Sequence, residues 1–172
     1  MATGERPPPR PLVIGVGNRD RGDDGVGPLV ADAVRGRCGG SVLVHVAEGD
    51  LSDLPMRWEP DQDVIVVDAT VGGRSPGEVS VIDALADGLR LESGLLSSHG
   101  IGLAEAVELG RILGRLPRSL VIFGVEAKRF EHFEPVADEV ASAVPDLVER
   151  IVALVGKAAH ASGHQRELLD RS

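Results

Sequence analysis

Residues 12–27 read LVIGVGNRDRGDDGVG. Leu12, Val13 and Ile14 run into Gly15-Val16-Gly17, which is the pattern of a short buried strand ending in a tight turn. Beyond the turn, Val26, Leu29, Val30, Ala33 and Val34 recur at i, i+3, i+4, i+7 and i+8. That spacing places them on one face of an amphipathic helix, with Pro28 tolerated in its first turn. Further strands are expected at 41–47, at 63–69 (DVIVVDA), at 78–82 and at 119–125 (SLVIFGV). The 63–69 strand is apolar on both faces, as suits the centre of a sheet covered on both sides. Leu103, Ala106, Val107 and Leu113 mark a second helix. Val136, Val140, Val144, Leu147, Val148, Ile151 and Val155 mark a long final helix, expected to kink at Pro145. Strands alternating with helices predict an α/β fold, a three-layer αβα sandwich around a mainly parallel, roughly five-stranded twisted sheet.

The chain's 172 residues suffice for one domain with a sizeable core. Its expected organisation is a Pro-rich start at 1–11, the domain at 12–156 and a polar, frayed tail at 157–172. A net charge of -9 leaves no basic face for nucleic acid. The four aromatics, Trp58, Phe123, Phe130 and Phe133, offer few platforms for stacking bases. Cys38 is the only cysteine, so no disulfide forms within the chain. The start lacks the apolar run of a signal peptide and no segment is long enough to span a membrane, which makes the cytoplasm the expected address.

In sheets of this kind, ligands bind beyond the carboxyl ends of the strands. Three places qualify: the loop from Gly15 to Gly27, Asp68 on the third strand, and the Ser97-Ser98-His99-Gly100 loop that leads into a helix. The first loop fails the dinucleotide fingerprint, because Asp20 stands at the sixth position of GxGxxG. It also fails the P-loop, because Asp23 follows Gly22. Asp23 or Asp24 could simply cap the helix, although one cap needs only one side chain. Asp68 follows four apolar residues, where an unpaired charge is costly; it serves either structure or function. His99, alone, would read as a surface histidine. Taken together, two carboxylates and one imidazole at one sheet edge form an O,O,N set for a divalent metal with open positions. Glu126 lies at the same edge, either supporting that set or ending its strand. His160 and His164 fall in the polar tail and read as solvated, and Cys38, beside Gly39-Gly40 with no evident base, reads as an inert thiol.

These stretches, in this order, resemble one family. VIGVGNRDRGDDGVG is similar to the N-terminal signature of hydrogenase maturation endopeptidases, VIVVDA to their central strand, SSHGIGLAEAV to their Ser-x-His loop and following helix, and FGVE to their last strand. The resemblance covers the chain from Leu12 to about Ile151. It implies a protease that removes a C-terminal extension from the large-subunit precursor of a nickel-iron hydrogenase, after nickel has been inserted. It also implies three metal-contacting side chains, Asp24, Asp68 and His99, which are the candidate catalytic set. The nickel is expected to arrive with the substrate and to bind the free protein weakly. Where Asp24 stands, some members carry Glu. Asp is shorter by one C–C bond, ~1.5 Å, and draws the metal closer to the helix start. Two other readings use the same residues differently: a non-catalytic nickel-binding checkpoint protein on this fold, and a flavodoxin-like nucleotide-binding module, which the failed glycine fingerprints disfavour.

Overall fold

The computed structural model describes residues 9–86 and 102–169, with side chains through Lys157. Five strands form one sheet: β1 (Leu12–Val16), β2 (Leu43–Ala47), β3 (Asp63–Thr70), β4 (Val79–Asp83) and β5 (Ser119–Glu126). Their order is β2-β1-β3-β5-β4. β1 runs parallel to β2 and β3, and β3 parallel to β5; β4 alone is antiparallel, against β5. The helices are α1 (Val26–Cys38), α2 (Leu103–Ile112), α3 (Asp138–Ala141) and α4 (Val144–Leu169).

Alternation along the strands sorts the core into two layers. Val13, Ile65, Val67 and Phe123 pack with Val30 and Val34 of α1 and with Leu147 and Ile151 of α4. Ile14, Val64, Val66 and Ile122 pack on the opposite face with Leu103, Ala106 and Val107 of α2, and with Leu54 and Trp58. Trp58 donates its indole N–H to the Arg115 carbonyl at 2.6 Å, so the largest buried ring leaves no polar atom unpaired. The expected sandwich is therefore present, with helices on both faces of a mostly parallel sheet.

Two expectations need correction. The helix predicted from Val136 onward is not one kinked helix. The short α3 ends at Ala141, a turn intervenes, and α4 starts at Val144. Pro145 thus occupies the first turn of a new helix, where its missing N–H costs nothing, instead of bending an old one. β2 also begins later than expected, because Gly39–Ser41 forms a 3-10 turn. The backbone of α4 itself continues to Leu169, across the expected start of the polar tail.

β1 sits between β2 and β3, so the chain leaves β1 towards one side for β2 and returns to the other side for β3. The carboxyl ends of β1 and β3 form the switch point where a ligand crevice opens. Close glycine packing shapes that crevice. A Cβ on Gly27 would stand 2.2 Å from the Val16 carbonyl oxygen and 2.6 Å from that of Val67. Only glycine lets the first turn of α1 seat directly on both strands. At Gly17, φ is +126° and a Cβ would lie 2.0 Å from the Asp24 carbonyl oxygen. The loop after β1 therefore folds back until Asp24 rests on the end of that strand.

Candidate active site

The acidic pair occupies a 3-10 turn, Gly22–Gly25, just ahead of α1. Neither aspartate caps the helix: the capping position is Gly25, and no side chain bonds there. Asp23 is fully buried and points away from the helix start. Its Oδ2 accepts the amides of Lys128 and Arg129, both at 2.9 Å, and its Oδ1 accepts that of Ala137 at 2.7 Å. These three backbone donors pin the loop after β5 to the loop after β1. Asp23 is a fastener between loops.

Asp24 and Asp68 behave differently. Asp24 is 1% exposed, and its Oδ2 accepts the Asn18 amide at 3.0 Å. Asp68 is 4% exposed and lies two residues inside the end of β3, level with Gly124 of β5. By strand alternation it shares the face of Val64 and Val66, the side covered by α2. Burial pushes the Asp68 carboxyl up to about 8, the negative charge of Asp24 adds to the rise, and the Ala69 amide opposes it. The structure thus brings together two of the three site residues expected from sequence, as a buried, electrostatically coupled pair of carboxyl groups at the switch point. Such a pair holds a proton at neutral pH, or exchanges it for a cation.

His99 lies outside the described residues. Three residues further on, Gly102 caps α2, and Leu103 packs in the same cluster as Val66. Among the described residues, no group of three or more His, Cys, Asp or Glu is placed to hold a metal ion. The loop after β1 and the end of β3 supply two carboxylates.

Glu126, whose role the sequence left open between supporting the site and ending its strand, holds a turn. It is 4% exposed, and its carboxylate accepts the amides of Gly72, Gly73 and Arg74 at 2.7–3.0 Å. Glu126 fixes the loop that follows Asp68, as Asp23 fixes the loop after β5. Sequence reasoning missed both fasteners. Their partners lie 52 or more residues away along the chain, and backbone amides carry no sequence signature. No helix among the described residues is long and apolar enough to cross a membrane.

Comparison with known proteins agrees with this architecture. A family model described as hydrogenase maturation protease matches residues 51–154. The hydrogenase 3 maturation protease of Escherichia coli K12 is 25% identical over 155 residues, spanning 87% of this chain and 94% of that protein. The hydrogenase 2 maturation protease of the same strain is 24% identical over 146 residues, spanning 84% and 89%. Among solved structures, the hydrogenase maturating endopeptidase HybD from E. coli aligns with a TM-score of 0.71 at 21% identity, covering 87% of this chain and 94% of its own. The [NiFe] hydrogenase maturation protease HybD from Thermococcus kodakarensis aligns with a TM-score of 0.70 at 22% identity, covering 86% and 99%. At these identities the structural likeness establishes the fold, and the family match, which spans most of the domain, establishes that the chain belongs to the hydrogenase maturation proteases.

Proposed function

We propose that this protein removes the C-terminal extension of a nickel-iron hydrogenase large-subunit precursor, and that it reads nickel already seated in that precursor through Asp24, Asp68 and His99. The observation that carries the reading is the Asp24–Asp68 pair, two buried carboxylates of like charge at the sheet's switch point. A divalent cation presented by a partner would relieve their repulsion and displace the proton that burial favours. Two carboxylates and one imidazole suit borderline divalent ions but make a weak permanent site. The free protein accordingly binds nickel loosely, and the contacts form fully only when the substrate brings the metal. Nickel is here part of the substrate, and its presence separates loaded from empty precursor.

Cleavage adds water across the scissile amide: the new C–O bond forms at the carbonyl carbon, the C–N bond breaks, and the leaving amine gains a proton. The protein's part is to hold the precursor so that this carbonyl lies at the crevice. A carboxylate not engaged by metal takes the proton from water.

His99 is the most exposed part of this reading to test. His99→Ala should lower nickel affinity and processing by at least roughly tenfold, as loss of a metal-site group commonly does. His160→Ala and His164→Ala should leave both unchanged. Nickel titrations and precursor cleavage by the three variants decide it, and equal losses in all three would remove His99 from the site.

A further inference from the structure

The two acidic neighbours in the Gly22–Gly25 turn meet different partners. The Asp23 carboxylate reaches the loop after β5, residues 127–137, whose Ala127 and Ala137 belong to the core layer of α1 and α4. The Asp24 charge acts on Asp68, which shares the opposite face with Val64 and Val66. The backbone of the turn is clamped to the same loop. The Asp23 amide donates to the Arg129 carbonyl at 2.8 Å, and the Gly22 amide to that of Glu134 at 3.1 Å. At Gly22, φ is +55° and a Cβ would lie 2.6 Å from the Arg129 carbonyl oxygen, so only glycine admits this approach.

A buried carboxylate is a costly way to join two loops, because apolar packing would join them without stripping a polar group of water. What directional hydrogen bonds add is placement: groups at a site hold their geometry when bonded neighbours lock them. One peptide unit, ~3.8 Å between Cα atoms, separates Asp23 from Asp24, so a shift of the first is carried to the second. Asp24 needs such a brace. Its charge disfavours an ionised Asp68, and an unbraced turn would relax by moving the two carboxyl groups apart. On its own side of the turn, Asp24 is held by its amide on the Arg21 carbonyl at 3.1 Å and by the Asn18 amide on its Oδ2 at 3.0 Å. Those contacts lie within the loop after β1 and move with it; the bonds of Asp23 tie that loop to another part of the fold.

We propose that Asp23 is a positioning residue for the reaction: by gripping the loop after β5 it fixes the turn that keeps the Asp24 carboxylate beside Asp68, ready for the precursor's nickel. The role rests on the function proposed above. Asp23 touches neither metal nor substrate in it, and acts through its neighbour alone. Residues that orient the groups of a metal site commonly matter about 10–100-fold in affinity or activity.

The test sets Asp23→Asn beside Gln62→Ala. Gln62 is 2% exposed, accepts the Glu59 amide at 3.0 Å and donates to the Arg10 carbonyl at 2.8 Å. It stands at the start of β3, ~20 Å from Asp68 by strand rise, so its loss weakens the fold without touching the turn. Both variants should melt below wild type. At a temperature where circular dichroism shows all three proteins folded, titration with nickel ion should give a Kd raised by roughly tenfold or more for Asp23→Asn and unchanged for Gln62→Ala. Cleavage of nickel-loaded precursor should follow the same split. Should Asp23→Asn not fold, Asp23→Ser keeps one acceptor without setting an N–H against the loop amides, and serves in the same comparison. Wild-type Kd and cleavage in the folded Asp23 variant overturn the positioning role and leave the proposed function standing. Equal losses in the Asp23 and Gln62 variants reduce Asp23 to a stability element and overturn it as well. Wild-type nickel affinity and cleavage in Asp24→Ala overturn the proposed reading of the site, and this role with it.

Discussion

Four buried carboxylates surround the crevice among the described residues, and they divide by what their oxygens meet. Asp23 and Glu126 each accept three backbone amides from distant loops. Asp24 accepts the Asn18 amide, and its charge raises the pKa of Asp68. Substitution should separate the two kinds. Asp23→Asn places an N–H where an acceptor is needed and should cost about 2–4 kcal/mol of stability. Asp68→Asn should abolish processing and leave the fold intact. It should also change how stability depends on pH. Asp68 ionises near 3.8 in the unfolded chain and at about 8 in the folded one. Below the lower value both states are protonated, and the group has no effect. As pH rises from there, folding must take up a proton, and stability falls by up to about 1.4 kcal/mol per pH unit until the folded group ionises. The metal-free wild type should therefore lose stability between about pH 4 and 8 relative to Asp68→Asn, with the two melting curves converging at acid pH. Parallel curves across that range would show that Asp68 is not held protonated. The sequence placed Asp24 and Asp68 at one edge because one lies in the loop after the first strand and the other at the end of the third. The residue pattern by itself did not separate Asp23 from Asp24, since the amides that claim Asp23 come from residues 128–137; the resemblance alone singled out Asp24.

At the scale of elements, periodicity located most of what forms. DVIVVDA became all of β3 but its last residue, and the apolar spacing after Gly25 became α1. Where it failed, a local signal competed with a longer pattern. The apolar residues from Val136 to Val155 share a helical period, yet the chain breaks between Ala141 and Val144, and Pro145 opens the second piece. Val155 is the last buried apolar residue among those with described side chains. Removing residues 158–172 should accordingly change stability by less than about 0.5 kcal/mol and leave processing unchanged. A larger drop in melting temperature would show that the end of α4 packs. The helix start is far less tolerant. Gly27→Ala would drive a methyl group into the Val16 and Val67 carbonyls, which cannot yield without moving α1 off the sheet. A loss of about 2–3 kcal/mol is expected, with weaker nickel binding, because Asp24 moves with the helix start. Wild-type stability in that variant would mean that the contact relaxes freely.

For the whole molecule, the alternation of strands and helices made an α/β sandwich legible, whereas strand order was not. Nothing in the spacing of Val79–Asp83 tells that β4 crosses to the far edge and runs antiparallel to β5. The crevice depends on that order, since it is the placement of β1 between β2 and β3 that opens the switch point beneath Asp24 and Asp68. The fold thus offers a partner two buried carboxylates at a single edge. The central claim is that nickel in the precursor completes this site and permits cleavage. Intact-mass analysis of the large-subunit precursor, incubated with the chelator-treated protein in nickel-loaded and nickel-free forms, tests it most directly. The account predicts loss of a C-terminal fragment from the loaded precursor only. Cleavage of the nickel-free precursor at a comparable rate, or an unchanged mass for both, would contradict it.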